Sequence, residues 1–154
     1  MIENYILKDE SETLNFGSNI AALIKESNDS IFEFHLQGNL GAGKTTLVRG
    51  VLRALGWRGS VKSPTYTICE EYDFEEFLIL HIDLYRTEIE EDVEMLELNR
   101  DFNGKKVIFI EWPEKVEGKR MANLKINMMH YQNSRKIEMI GDTILIEKLM
   151  KEDK

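Results

Sequence analysis

Length, composition and charge limit the functions that are open to this chain. Its 154 residues suffice for one domain, and 42% apolar with 31% charged residues is typical of a folded globular protein. The formal net charge is −8. Proteins that bind tRNA or duplexes directly normally present a basic face, because phosphate contacts supply most of the affinity. The composition therefore argues against direct RNA binding, and it leaves docking on a basic protein partner open.

Cysteine usage and hydropathy exclude two further classes. The sequence has a single cysteine, Cys69, so no internal disulfide can form, and we expect a buried thiol on a strand. No apolar run approaches the roughly 18 residues of a membrane span. The first residues lack the basic and apolar regions of a signal peptide. We therefore expect a cytoplasmic protein without membrane contact.

The first half of the chain alternates between strands and helices. Apolar periodicity predicts an edge strand at residues 5–7, a helix over 10–25, a strand over 31–36 and a helix over 44–55. Gly56 follows the second helix and is suited to ending it. This alternation is typical of α/β domains.

The second half is richer in strands, with two predicted hairpins, two helices, and one strand that is apolar on both faces, as central parallel strands are. These elements are expected at residues 66–72 with 77–83, 88–98, 106–111, 124–131 with 135–140, and 143–150. We expect a single α/β domain over residues 1–154, with a mixed parallel and antiparallel sheet.

A glycine-rich loop directly after the strand at 31–36 matches the pattern G-x-x-x-x-G-K-[ST] in full, at Gly38, Gly43, Lys44 and Thr45. Its glycines let consecutive backbone N–H groups face one anion, and the following helix adds its positive dipole end. The pattern predicts ATP with Mg²⁺ as ligands, in a P-loop NTPase-like three-layer sandwich. The predicted contacts are Asn39, Leu40, Gly41, Ala42, Gly43, Lys44, Thr45 and Thr46.

Two carboxylates are candidates for holding the metal beside the Thr45 hydroxyl. Glu111 ends the predicted strand at 106–111, and Asp83 ends the one at 77–83. Asp83 is a candidate either for the metal or for orienting the attacking water. The sequence leaves the division of these roles between Asp83 and Glu111 open.

Other features narrow the class of P-loop protein. No guanine-reading N-K-x-D motif is present, and residues 118–120, Gly-Lys-Arg, are interpreted as a solvated loop instead of a kinase lid. Thr65, in a Ser-Pro-Thr segment after the predicted P-loop helix, is a candidate sensor of the γ-phosphate. His35 and His81 are interpreted as strand residues instead of catalysts.

Four motifs occur together in this order, at residues 38–46, 63–67, 81–86 and 111–114. In them, and across nearly its whole length, the chain resembles the TsaE family, also called YjeE. The resemblance implies an ATPase that acts with TsaB and TsaD, the pair that transfers threonylcarbamoyl to adenosine 37 of tRNA. It also implies that tRNA is contacted only through these partners.

The resemblance assigns roles residue by residue. It implies a phosphate contact for Lys44, metal contacts for Thr45 and Glu111, a requirement for Asp83 in hydrolysis, and positions near the γ-phosphate or the partner for Trp112 and Thr65. Its adenine contacts come from the N-terminal segment and the last hairpin, which correspond to Glu10, Thr13, Ser134 and Arg135. Two alternatives stay open: a free-standing small-molecule kinase, and a nucleotide-dependent binding module without turnover.

Overall fold

A computed structural model describes residues 1–64, 68–85 and 98–151 of the chain. The strands in these residues are β1 Ile2–Leu7, β2 Ile31–Gln37, β3 Cys69–Asp73, β4 Phe77–Asp83, β5 Lys105–Glu111, β6 Leu124–Tyr131 and β7 Ser134–Gly141. The helices are α1 Glu10–Glu26, α2 Lys44–Leu55 and α3 Thr143–Lys151, and Pro113–Val116 forms a 3₁₀ turn.

The described strands form one seven-stranded sheet in the order β1-β7-β6-β2-β5-β4-β3. Strands β6, β2, β5 and β4 run parallel to their neighbours in this set. The outer pairs β1 with β7, β7 with β6, and β4 with β3 are antiparallel. The sheet is therefore mixed, as the sequence predicts, with β2 at its centre and β5 beside it.

Parallel pairing brings the ends of the central strands to one edge of the sheet. Glu111, the last residue of β5, lies opposite Leu36 of β2 and opposite Asp83, the last residue of β4. The glycine-rich loop, residues 38–45, begins directly after β2 at the same edge. The candidate carboxylates and the loop therefore meet because of the strand order, although they are far apart in sequence.

The molecule has three layers. Helices α1, α2 and α3 share one apolar core with the sheet face that carries Phe32, Phe34 and Phe109. The opposite face packs, among the described residues, against Leu98 and Val116. The sheet is thus covered on both sides, which explains why β5 is apolar on both faces.

Two glycines set the distance between α1 and α2. A Cβ at Gly17 would lie 2.6 Å from the carbonyl oxygen of Leu47, and one at Gly50 would lie 2.5 Å from that of Leu14. Both contacts are shorter than van der Waals separation and involve backbone atoms, which cannot move aside cheaply. The close crossing fixes α2, and with it the glycine-rich loop at its start.

Within the described residues, every predicted strand and helix is found at or within a few residues of its expected position. Helix α2 ends at Leu55, and Gly56 caps it in the left-handed conformation, as expected. The helix expected over 88–98 lies outside the described residues except for its last residue. Cys69 lies on β3 but is half-buried instead of buried, and desolvation still raises the pKa of its thiol to about 11.

No helix in the described part of the chain is long and apolar enough to cross a membrane.

We predict that Gly17→Ala and Gly50→Ala each destabilise the protein. Alanine in a helix normally gains about 1 kcal/mol over glycine, but here the added methyl group overpacks the crossing, which costs about 1 to 3 kcal/mol. The free energy of unfolding, measured by chemical denaturation, checks this. Asn15→Ala, at an exposed position of α1, is the control and should not destabilise. Unchanged or increased stability of both glycine variants would contradict the close crossing.

Candidate functional site

The glycine-rich loop has a backbone that only glycine accommodates well. Gly43 precedes α2 with φ of 108°, in the left-handed region. A Cβ at Gly38 would lie 2.6 Å from the carbonyl oxygen of Met128 on β6. The first N–H groups of α2 have no partner within the helix, and the loop brings them to the sheet edge. This arrangement is typical of an anion site.

A first cavity, of about 230 Å³, lies between the loop, the start of α1 and the β6–β7 hairpin. It is lined by Lys8, Asp9, Glu10, Thr13, Gly41, Gly43, Thr46, Asn133, Ser134 and Arg135. The structure thus brings together Glu10, Thr13, Ser134 and Arg135, which the resemblance assigns to adenine. Lys8, Asp9 and Asn133 were not assigned from the sequence, although each lies within two residues of an assigned one.

A second cavity, of about 290 Å³, lies on the other side of the loop. It is lined by Leu40, Gly41, Gly43, Lys44, Thr45, Thr46, Ser63, Asp83, Glu111 and Trp112. The predicted phosphate and metal residues therefore share one cavity. Gly41, Gly43 and Thr46 line both cavities, so the two adjoin at the glycine-rich loop.

The remaining predicted residues take different places. Asn39 and Leu40 are exposed at the tip of the loop. Ala42 is buried in the core and lines neither cavity. Thr65 lies outside the described residues.

The ammonium group of Lys44 is buried and already has partners within the protein. Its side chain is 5% exposed, and Nζ donates a hydrogen bond to the Gly38 carbonyl oxygen at 2.6 Å. The same Nζ lies 3.7 Å from Oε1 of Glu111 and 4.5 Å from the centre of the Trp112 ring. The ammonium group compensates the buried Glu111 charge, and an incoming phosphate would compete with that pairing.

Glu111 has a second partner that the sequence reasoning did not assign. Nε2 of His81 lies 2.6 Å from Oε2 of Glu111, and the histidine is fully buried. His81 does lie on β4, as interpreted from the sequence, but its ring reaches the candidate metal carboxylate. A signal was available, because His81 and Asp83 are two residues apart on a strand and therefore share a face.

Asp83 has an environment that disfavours its charge. Burial raises the pKa of its carboxyl group, and the neighbouring Glu111 raises it further. The backbone N–H of Tyr85, which donates to Oδ1 at 2.9 Å, and the charge of Lys44 act in the opposite direction. A divalent cation bound between Asp83 and Glu111 would reduce the repulsion between these two carboxylates, which Lys44 compensates only in part.

The oxygen donors present fit Mg²⁺ and fit zinc poorly. The described residues contain no cluster of three or more histidine, cysteine, aspartate or glutamate side chains placed to hold a metal. Mg²⁺ commonly takes only one or two carboxylates and completes its shell with phosphates and water. Thr45, Asp83 and Glu111 line the same cavity and offer a hydroxyl and two carboxylates.

Arg135 contacts the loop itself. Its Nε donates to the Ala42 carbonyl oxygen at 3.0 Å, and Nη2 donates to that of Gly41 at 3.3 Å. The guanidinium group therefore ties the β6–β7 hairpin to the glycine-rich loop, in addition to lining the first cavity. These charge-assisted bonds hold the loop in place from the first cavity, whereas Lys44 lines the second.

The interpretation of residues 118–120 as a solvated loop is wrong for Arg120. Its Nε and Nη2 each lie 2.8 Å from a carboxylate oxygen of buried Glu33. Glu33 also accepts from Nε2 of His35 at 2.9 Å. A buried carboxylate needs such partners, and they keep the pKa of Glu33 below its usual value although burial opposes them.

The fold and the site define a P-loop NTPase-like α/β protein. The family model described as "Threonylcarbamoyl adenosine biosynthesis protein TsaE" matches residues 7–137. The chain is 41% identical over 141 residues to the tRNA threonylcarbamoyladenosine biosynthesis protein TsaE of Haemophilus influenzae, covering 90% of this chain and 89% of that one. This chain belongs to the TsaE family, a family of tRNA threonylcarbamoyladenosine biosynthesis proteins.

Two other similarities agree with the family. The protein of the same name from Aquifex aeolicus is 35% identical over 117 residues, which cover 75% of this chain and 80% of that one. The crystal structure of Bacillus subtilis YdiB superposes with a TM-score of 0.77 at 25% identity, covering 100% of this chain and 97% of that chain. The sequence resemblance to the TsaE family is therefore confirmed.

We predict that Asp83→Asn stabilises the nucleotide-free protein at neutral pH. The pKa of Asp83 is higher in the folded state than in the unfolded state. The protonated carboxyl group therefore contributes stability below the unfolded-state pKa, and this stability is lost as pH rises through the folded-state pKa. Asparagine keeps the oxygen that accepts from Tyr85 and removes the charge. In thermal unfolding from pH 3 to pH 8, we expect the melting temperature of Asp83→Asn to exceed that of the parent protein by a margin that increases with pH.

The matched control is Asp73→Asn, at the exposed end of β3, which should show no such trend. An Asp83→Asn variant that is less stable than the parent protein at pH 7, or equally stable at every pH, would contradict the prediction.

Proposed function

We propose that the chain binds ATP with Mg²⁺ across the two adjoining cavities. The observation that carries this proposal is the glycine-rich loop lying between them, with Gly41, Gly43 and Thr46 on both walls. The first cavity is the place for the adenosine, and the second, with Lys44 and two carboxylates, is the place for the β- and γ-phosphates. The loop and the start of α2 supply backbone N–H groups to the phosphates where the two cavities adjoin.

We propose further that the chain hydrolyses ATP. Lys44 moves from Glu111 to the phosphates, Thr45 and Glu111 hold the metal, and Asp83 holds the metal or orients the attacking water. Mg²⁺ held by these residues would supply positive charge to neutralise the charge that develops on the phosphates. Phosphoryl transfer depends mainly on such positioning and charge stabilisation, so this small set of residues is sufficient chemistry.

The reaction serves, in this proposal, the TsaB–TsaD complex that modifies adenosine 37 of tRNA. Membership of the TsaE family supports this role. A net charge of −8 suits docking on a basic protein face and disfavours direct contact with tRNA. Leu40 and Tyr85 are 69% and 49% exposed beside the second cavity, which suits a partner that covers the phosphates.

The alternative of a free-standing kinase gains no lid arginine from residues 118–120. A kinase lid supplies arginine to the phosphates, and Arg120 was the residue considered for that part. Its guanidinium group is engaged with Glu33 on the face of the sheet opposite to α2. An ATPase assay with TsaB–TsaD distinguishes hydrolysis from binding without turnover.

We predict that Lys44→Met weakens ATP binding by about tenfold to a hundredfold, which is the range for losing a charged hydrogen bond of about 1.5 to 3 kcal/mol. Methionine keeps the alkyl stem inside the site and removes the charge. Calorimetric titration with Mg-ATP gives the affinity. Lys125→Met, at an exposed position of β6, controls for net charge. Equal affinity of Lys44→Met and Lys125→Met would refute the assignment of the site.

We predict that the isolated chain hydrolyses ATP slowly and that TsaB–TsaD raises the rate by about an order of magnitude or more. A group supplied by a partner in trans is worth about 10³ to 10⁵ in related enzymes. Phosphate release is measured for the chain, for TsaB–TsaD, and for the mixture. Lys44→Met in the mixture is the control and should release no more than TsaB–TsaD alone.

A rate of phosphate release in the mixture that equals the sum of the two separate rates would contradict coupling to these partners. A mixture that binds ATP without turnover would favour the binding module.

A further inference from the structure

Among the described residues, the His81 ring makes one hydrogen bond, and its partner is Glu111. Its Nε2 lies 2.6 Å from Oε2, and both side chains are almost completely excluded from solvent, at 0% and 4% exposure. A carboxylate accepts hydrogen bonds, so the ring nitrogen is the donor. The other ring nitrogen, Nδ1, is buried and has no hydrogen-bond partner among the described residues. Within this part of the chain, the polar contacts of the ring are thus directed at Glu111 alone.

The contact divides the two oxygens of Glu111 between different partners. Oε2 accepts from His81, whereas Oε1 lies 3.7 Å from Nζ of Lys44, beyond hydrogen-bond distance. An unrestrained carboxylate exchanges its oxygens by rotation about its terminal bond. The hydrogen bond from His81 restrains this rotation and keeps Oε1 on the side of the Lys44 ammonium group.

The register of the sheet explains why β4 supplies this donor. His81 lies opposite Phe109, and Asp83 lies opposite Glu111, so both β4 residues face the side of the sheet that α2 covers. His81 reaches diagonally to Glu111 on the neighbouring strand. One strand therefore contributes a carboxylate to the second cavity and a donor that orients the other carboxylate.

We propose that His81 is a positioning residue that fixes the Glu111 carboxylate so that Oε1 is presented to the metal. This inference rests on the proposed function, because it concerns the metal carboxylate of that site. Hydrogen-bonding partners of metal ligands typically contribute about 10-fold to 100-fold to metal affinity. His81 touches neither nucleotide nor metal in this assignment and acts only through Glu111.

The test compares two substitutions of His81 that differ in the donor. His81→Gln retains an N–H group near the position of Nε2, and His81→Met fills a similar volume without a donor. ATP affinity is measured by calorimetry with Mg²⁺ and in EDTA, after thermal unfolding has established that each variant is folded. The ratio of ATP affinity with Mg²⁺ to ATP affinity in EDTA measures the gain from the metal, and we expect this ratio to be about 10-fold smaller in His81→Met than in the parent protein. We also expect an unchanged affinity in EDTA and a restored gain in His81→Gln.

Three results of this titration would overturn the inference: a full Mg²⁺ gain in His81→Met, an equal loss in both variants, or a loss of affinity in EDTA as well. A purely structural histidine would produce the second or the third. Failure of the parent protein to bind ATP under either condition would instead refute the proposed function.

A second measurement on the nucleotide-free protein decides the contact itself, even if a variant does not fold or ATP does not bind. Histidine-ring NMR of the parent protein should show a downfield Nε2–H signal that exchanges slowly with water. This signal should move upfield or vanish in Glu111→Ala, while the His35 ring, which contacts Glu33, is unaffected. A parent protein without a protected Nε2–H, or with one that is insensitive to Glu111→Ala, overturns the inference.

Discussion

The buried carboxylate of Glu111 is the constraint on which the site depends. Its side chain is 4% exposed at the end of β5, and a charge removed from water to that extent requires partners. Lys44 supplies a cation at 3.7 Å, and His81 supplies a hydrogen bond at 2.6 Å. The charged groups of the site therefore pair with one another. In the proposed function, ATP and its metal would have to replace the pairing of Glu111 with Lys44.

The fold brings these three residues together from three separate elements. Lys44 begins α2, Glu111 ends β5 and His81 lies near the end of β4. Parallel pairing places the strand ends at one edge, and the glycine contacts between α1 and α2 hold the lysine over that edge. The geometry of the site thus follows from the order of strands in the sheet and from the space available between two helices.

Much of this arrangement is predictable from the sequence, for reasons that particular residues illustrate. The glycine-rich loop and the apolar strand before it predict a phosphate site, because both are local patterns. Pairings between distant segments are not local, so the contact of His81 with Glu111 and that of Arg120 with Glu33 were missed. Periodicity places a residue on a strand and a face, but the partner of a buried charge is decided by packing.

The most direct test of this account is a double-mutant cycle between Lys44 and Glu111 in the nucleotide-free protein. The free energy of unfolding is measured for the parent protein, Lys44→Met, Glu111→Gln and the double variant. We expect a coupling of about 1 kcal/mol or more, with Glu111→Gln destabilising the parent protein and stabilising Lys44→Met. The sign reverses because glutamine removes a buried charge that has lost its cation. The same effect of Glu111→Gln in both backgrounds would contradict the account.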